Sequence, residues 1–450
     1  MIKYCKAQIL PSALLQYGGS LFLLVMLLMF IALRDFLPSL YNMLCEILYG
    51  VRGQEPFIDL GDILRAGVCW RHGVNVYVPS VCLDGGVFNY SPILLNAARL
   101  PLEVSDRGVG GLLMAFGFIA SVALLPKAAS VSELVFRCAA VASTATWYAI
   151  EQGNLDLCLF AIIMLGVWLL RKNHKLSVIS YVLFGVAAAA KFYPAILFLL
   201  GLRERVFRLS LLVLAGCILV VVVFVACGSG IVKAASEIPL SQPFRATFGA
   251  RDLFGGLALL HVLPWHSATH VIRPFYPSTA LMSEHRLSNL LTVLMSLGAL
   301  ALAWMDAPRY SMKLPQVDPS RLVFLVAGAL LIVFCFFAAQ NVYYRGIFLV
   351  MLLPGFWNLA YPRSGGTDWR ARLLIVLTLA LLWEAAIREV VHGVIGGAFP
   401  LWVEEATMVV VWLARELAWW WLVIQLTALV IAFFRRELIR LHRDMRLLLP

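Results

Sequence analysis

The sequence predicts an all-α fold, a polytopic transmembrane helix bundle of about 12 spans with short interfacial helices in its extracytoplasmic loops. Three observations carry that expectation. The chain is 62% hydrophobic and only 14% charged, with a mean hydropathy of +0.88, far from the make-up of a water-soluble domain. Apolar runs long enough to cross a bilayer recur along its whole length. The basic residues gather in short segments between those runs rather than on one face. A helix bundle in lipid is one continuous packing unit, so residues 1–450 read as a single integral membrane domain.

The elements follow in order. The first run, 10–33, comes after Lys3 and Lys6 and is longer than a signal-peptide core, so it is expected to remain as the first helix. A first extracytoplasmic loop covers 34–108. Clear spans then fall near 109–126, 133–150, 154–170 and 207–227, and after a second outer loop at 228–286 come 287–305, 320–339, 345–361, 371–390 and 413–434. One further apolar stretch between Lys175 and Arg203 is broken by Lys191-Phe192-Tyr193-Pro194, where proline disfavours continuous helix, and reads as two short spans. Short outer turns are expected at 151–153, 191–194, 340–344 and 391–412. The segment Ala398 to Trp421, with Trp402, Trp412, Trp419, Trp420 and Trp421, suggests an interfacial aromatic belt, or an amphipathic helix leading into the last span.

Charge orients the bundle. With the N-terminus in the cytoplasm, 21 bases face seven acids inside, and 15 bases face 18 acids outside. The net charge of +11 is therefore a positive-inside signature rather than a phosphate-binding face, and nucleic acid is not an expected partner. The nine cysteines contain no CxxC pair, so no zinc site is expected; Cys69 and Cys82 share the first outer loop, where a bridge is open to them.

Candidate chemistry lies in the outer segments. Asp59 and Asp62, three apart, would share one face of a helix, and an acid beside aromatic residues suits a general base toward a sugar hydroxyl; Asp59 as a plain helix cap is the competing reading. Glu151-Gln152-Gly153-Asn154-Leu155-Asp156 combines a glycine for a tight turn with amides and acids that hold sugars or phosphates, or simply closes a helical hairpin. Asp156, at the start of a span, is expected to face the protein interior. Lys191 either pairs with a lipid phosphate or snorkels to the interface. Arg251 and Arg345 add outer cations suited to phosphate. His261, His266 and His270 lack a metal-ligand pattern, and Glu384 and Arg388, four apart, are expected to pair.

Taken in order, Asp59, Gly73-x-x-x-Tyr77, Tyr90-Ser91-Pro92, the segment Glu151 to Asp156, and an Ala-rich helix ending Lys191-Phe192-Tyr193-Pro194 resemble glycosyltransferase family 87. That family of the GT-C superfamily holds polyprenol-phosphate-mannose-dependent alpha-mannosyltransferases, and the resemblance covers roughly residues 55 to 205. It implies an inverting transfer of a sugar from a polyprenyl-phosphate donor to a lipid or glycan acceptor on the extracytoplasmic side of a cell (inner) membrane. Asp59 would be the general base, with Asp62 replacing or assisting it. Tyr77, Glu151, Gln152, Asn154, Asp156, Lys191 and Tyr193 would bind substrate, joined on topological grounds by Arg251 and Arg345. No cofactor or metal is implied. The rival readings are an O-antigen polymerase or ligase, in which the major outer loop comes late in the chain, and a lipid-linked sugar transporter, which calls for acids deep in several helices or a repeat between halves.

Overall fold

The computed structural model describes residues 11–49, 55–95, 100–172, 176–236, 244, 247–262, 279–338, 341–362 and 367–446. It is helical nearly throughout. Helix α1 (Ser12–Phe36) leads through α2 (Pro38–Tyr49) and α3 (Ile58–Arg71) into α4 (Arg107–Val122), α5 (Val131–Val141), α6 (Thr144–Gln152), α7 (Asp156–Lys172) and α8 (Ser177–Ala190). A long 3-10 helix, Tyr193–Arg203, precedes α9 (Val206–Ser236), then α10 (Asp252–Val262), α11 (Thr279–Lys313) and α12 (Pro319–Ala338). A second long 3-10 helix, Tyr343–Leu352, runs into α13 (Leu353–Ala360), followed by α14 (Trp369–Leu382), α15 (Glu384–Ile395) and α16 (Leu401–Arg446). The described strands, β1 (Thr247–Phe248) and β2 (Asn341–Val342), form one short antiparallel pair with Thr247 opposite Val342.

Among the described residues, four helical stretches are long and apolar enough to cross a membrane: Ser12–Phe36, Arg286–Gln316, Pro319–Ala338 and Leu401–Arg446. The pair α6 and α7, bent by 114° at their junction, brings the number to five if it counts as one broken span. Unbroken helices alone account for fewer crossings than the 12 spans expected from sequence, because several apolar runs do not fold as single helices. The run 133–150 breaks before Thr144, 345–361 divides between 3-10 and α geometry, and 371–390 is interrupted at Trp383. Each break puts backbone groups out of register at membrane depth, which lipid tolerates only where protein covers them.

The helices sort into inner and outer sets. Helix α12 is almost wholly buried, with Phe324, Phe336 and a row of aliphatic residues in the core. Helices α9 and α11 instead present Val213, Leu214, Val221, Leu290, Leu294 and Leu297 outward. Continuous apolar surface of that extent belongs against lipid rather than water.

Where they are described, the expected loops are largely helical. The segment 34–108 contains α2 and α3, and a Cys69–Cys82 bridge ties the end of α3 to the turn after it. Most of the turn expected at 391–412 is the end of α15 and the start of α16, and the segment from Leu401 is a helix that runs on into the last span, as the helical reading of Ala398 to Trp421 expects. The tryptophans of Ala398 to Trp421 do not form a belt, since Trp412, Trp419 and Trp420 are buried; Trp419 stacks on Phe248 with ring centroids 4.3 Å apart, and Trp402 is exposed.

Ion pairs are segregated by end. Among the described residues, Glu133 with Arg137 and Arg321, Asp368 with Arg309 and Lys313, and Asp306 with Arg370 all join groups placed inside by the sequence charge bias. Asp156 with Lys191 and Arg345, and Glu384 with Arg415, join groups placed outside.

Candidate functional site

The site is built on two unusual pieces of backbone. Gly153 ends α6 at φ 60°, a conformation in which a Cβ is strained, and an added Cβ there would lie 2.8 Å from the Cβ of Phe57. Phe57 itself stands at φ 62°, with its N–H donating to the Glu151 carbonyl at 2.6 Å and its ring laid over Gly111. A non-glycine residue held at positive φ costs of order 1–3 kcal/mol and persists where its surroundings fix it. Here the two glycines admit Phe57, and Phe57 locks the start of α3 against the α6–α7 turn.

That lock brings Asp59, two residues on, to Asn154. The Asn154 amide Nδ2 donates to Asp59 Oδ2, while the Asp156 N–H donates to Asn154 Oδ1 at 2.9 Å. Asp59 is therefore no helix cap; it is the second residue of α3, whose N-cap is Phe57. Among the described residues, no donor reaches its Oδ1, and Asp59 as a whole residue is half-buried. Burial pushes the Asp59 carboxyl above the ordinary carboxylate range. The Asn154 bond and Lys191 pull it down, but not enough to cancel burial reinforced by Asp62 and Asp156.

Asp156 is the anchor of the cluster. It is fully buried and accepts from Lys191 Nζ at 2.8 Å and Tyr193 Oη at 3.0 Å on one oxygen, and from Arg345 Nε at 3.3 Å on the other. Lys191 also approaches Asn154 Oδ1 at 3.4 Å and sits 5.3 Å from the Tyr90 ring centroid, so it is held inside rather than snorkelling. Arg345 lies over Tyr193 and donates through Nη1 to Asn341 Oδ1. Asn341 is fixed in turn by strand β2 and by its amide bond to the Cys335 carbonyl at 2.6 Å. Two carboxylates thus meet two cations, with one carboxylate left accessible.

Beside this cluster opens a cavity of about 310 Å³, lined by Leu27, Phe30, Leu112 and Trp147, with Arg34 and Glu151 as its charged groups. Gln152 donates to Glu151 at 2.8 Å, and both are buried. Phe57 and Glu151 belong to the cavity wall and to the Asp59 lock alike.

Six of the residues singled out from sequence therefore converge: Asp59, Asn154, Asp156, Lys191, Tyr193 and Arg345. Three do not. Asp62 is exposed beside Arg65 and Asp84, because three residues along α3 carry it off the Asn154 side. Tyr77 packs with Phe88, Cys69 and Val76 in a small core inside the first loop. Arg251 is exposed, while its neighbour Asp252 turns inward toward Arg415. Glu384 is 3.0 Å from Arg415 and 3.9 Å from Arg388, so its closer partner is not the one four residues away. His266 and His270 lie outside the described residues, and the described ones contain no cluster of His, Cys, Asp or Glu suited to a metal.

Phe57 and the adjoining pair of Arg415 and Glu416 carry structure that sequence reasoning passed over. Nothing local marks Phe57 as a positive-φ residue. The Arg–Glu pair had a signal, adjacent charges in the middle of a long apolar helix, which are costly there unless partnered. No family model matches the chain, and neither a curated protein nor a solved structure does so.

Proposed function

We propose that the chain is a polytopic membrane glycosyltransferase of the family 87 type, moving a sugar, mannose by resemblance, from a polyprenyl-phosphate donor to a lipid or polysaccharide acceptor. The observation that carries this reading is an accessible Asp59 carboxylate, raised in pKa, beside the paired cations Lys191 and Arg345. Asp59 takes the proton of the acceptor hydroxyl through its open Oδ1. The freed oxygen attacks the anomeric carbon in line, the new C–O bond inverts the configuration, and the bond to phosphate breaks. The polyprenyl phosphate leaves as an anion, and Lys191 and Arg345 stabilise its developing charge.

The cations are already balanced by Asp156, which holds them in place before substrate arrives and leaves them to share with a phosphate oxygen. Preorganised charge of this kind lowers a barrier more than charge that must be gathered during reaction. The adjacent apolar cavity suits the first isoprene units of the donor. Segregation of the ion pairs favours the 12-span orientation, with both ends cytoplasmic and the cluster on the outer face of a cell (inner) membrane.

The test is transfer of radiolabelled sugar from a panel of polyprenyl-phosphate donors by membranes carrying the protein. Transfer that requires the wild-type chain supports the reading. If no donor in the panel supports transfer, the polymerase or ligase and the transporter readings take precedence.

A further inference from the structure

The basic end of the bundle holds a second pocket that the transferase reading does not use. It measures about 670 Å³ and opens between the end of the Tyr193–Arg203 helix, the corner joining α11 to α12, and the last turns of α16. Its wall carries Arg203, Arg435, Arg436, Arg440 and Arg443 against the single acid Glu437. Arg436, Arg440 and Arg443 follow the helical spacing that puts side chains on one face of α16.

Glu437 is already engaged. Arg440 Nε lies 3.1 Å from it and Arg436 Nε 3.7 Å. Arg435 is set over the Trp304 ring at 3.7 Å from its centroid, and Arg440 Nη2 donates to the Leu202 carbonyl at 2.8 Å. Arg203 Nη1 is buried with no acceptor among the described residues, and Arg440 Nε, although close to Glu437, makes no aligned hydrogen bond there. A guanidinium donor buried without a partner is unfavourable, and a turn of the Arg203 side chain into the pocket would give it an oxygen anion as acceptor. The lip is apolar as well as basic: Ile439 in the wall and Trp304 beneath Arg435 are both largely exposed.

A pocket that is cationic inside and apolar at its edge, at the end of the bundle where arginines are in excess, matches a charged headgroup carrying acyl chains. We propose that this pocket binds a phosphate-bearing anion, the headgroup of an anionic phospholipid of the inner leaflet. Arg203 and Arg443 contact the phosphate, and the acyl chains run past Ile439 into the bilayer.

The experiment is native mass spectrometry of the full-length protein, stripped of lipid in detergent and titrated with dioleoyl phosphatidylglycerol, dioleoyl phosphatidylcholine or inorganic phosphate. It needs no transfer assay, so it succeeds or fails independently of the function proposed above. Phosphatidylglycerol is expected to bind roughly tenfold or more tightly than phosphatidylcholine, with about a fivefold loss for each arginine removed in Arg443→Gln and Arg203→Gln. Arg443 is exposed, so Arg443→Gln tests the site without disturbing the fold even if Arg203→Gln does. Equal retention of the two lipids, or an undiminished preference in Arg443→Gln, overturns the proposal. Binding of inorganic phosphate without phosphatidylglycerol overturns the lipid assignment and leaves a site for a soluble phosphate.

Discussion

Two buried charge clusters stand at opposite ends of this bundle, and they are built to different rules. At the basic end, Glu133 is saturated: Arg321 reaches both its oxygens at 3.0 and 3.1 Å, Arg137 adds a further bond, and the Ala129 N–H donates at 2.6 Å. The arginines bond the backbone as well, Arg321 to the Lys127 and Pro354 carbonyls at 2.7 and 3.0 Å and Arg137 to the Pro126 carbonyl. All three side chains are buried, and they tie α5 to α12 and α13. At the other end, Asp156 is equally well served, but Asp59 keeps an oxygen open and stands half-exposed beside a cavity. Burial of charge alone does not mark a site. An accessible, incompletely satisfied member of a buried network does.

The largest effect that would sharpen this contrast is Asp156→Asn. It leaves Lys191 and Arg345 without their anion, and breaking such a buried pair costs about 3–5 kcal/mol. Both the unfolding temperature and transfer should fall. Arg321→Met comes next, at the lower end of that range, about 3 kcal/mol, because Arg137 still neutralises Glu133. Here the amount of folded protein should drop in a detergent melting assay while transfer per folded molecule holds. A large loss of specific activity in Arg321→Met would break the contrast, since it would make the closed cluster functional too.

Smaller still is Gly153→Ala, with about 1–2 kcal/mol from the left-handed backbone alone. Its Cβ also displaces Phe57 and so moves Asp59, and transfer should decline more than melting temperature does. The mildest expectation concerns pH. The Asp59 carboxyl lies above its ordinary range in the fold, so the stability tied to this group is present at low pH and lost as pH rises through that raised value. Transfer moves the opposite way, since only the carboxylate accepts a proton. The acidic limb of a transfer–pH profile should therefore sit above the usual carboxylate range, and the limb should vanish in Asp59→Asn.

Helical character and membrane-scale apolar runs were legible in the sequence because both are local properties of composition. Asp156 was legible as inward-facing because an acid at the start of an apolar run has few other choices. Lys191 and Tyr193 were legible from their place at a proline break. The failures are equally physical. Arg251 and Asp252 are adjacent, and which one turns inward at the start of α10 depends on Arg415, far away in sequence. Asp59 and Asp62 differ by 60° around α3, enough for one to meet Asn154 and the other solvent. The buried tryptophans of α16 look interfacial in sequence, and it is Phe248, brought in by the β1–β2 pairing, that takes Trp419 into the core.

The most direct measurement pairs transfer with thermal unfolding on the same purified Asp59→Asn protein. Transfer should fall by about a hundredfold or more with an unfolding temperature unchanged or slightly raised, since the substitution removes a charge that burial disfavours. Transfer at the wild-type rate, or a loss of transfer matched by an equal loss of folded protein, would contradict it.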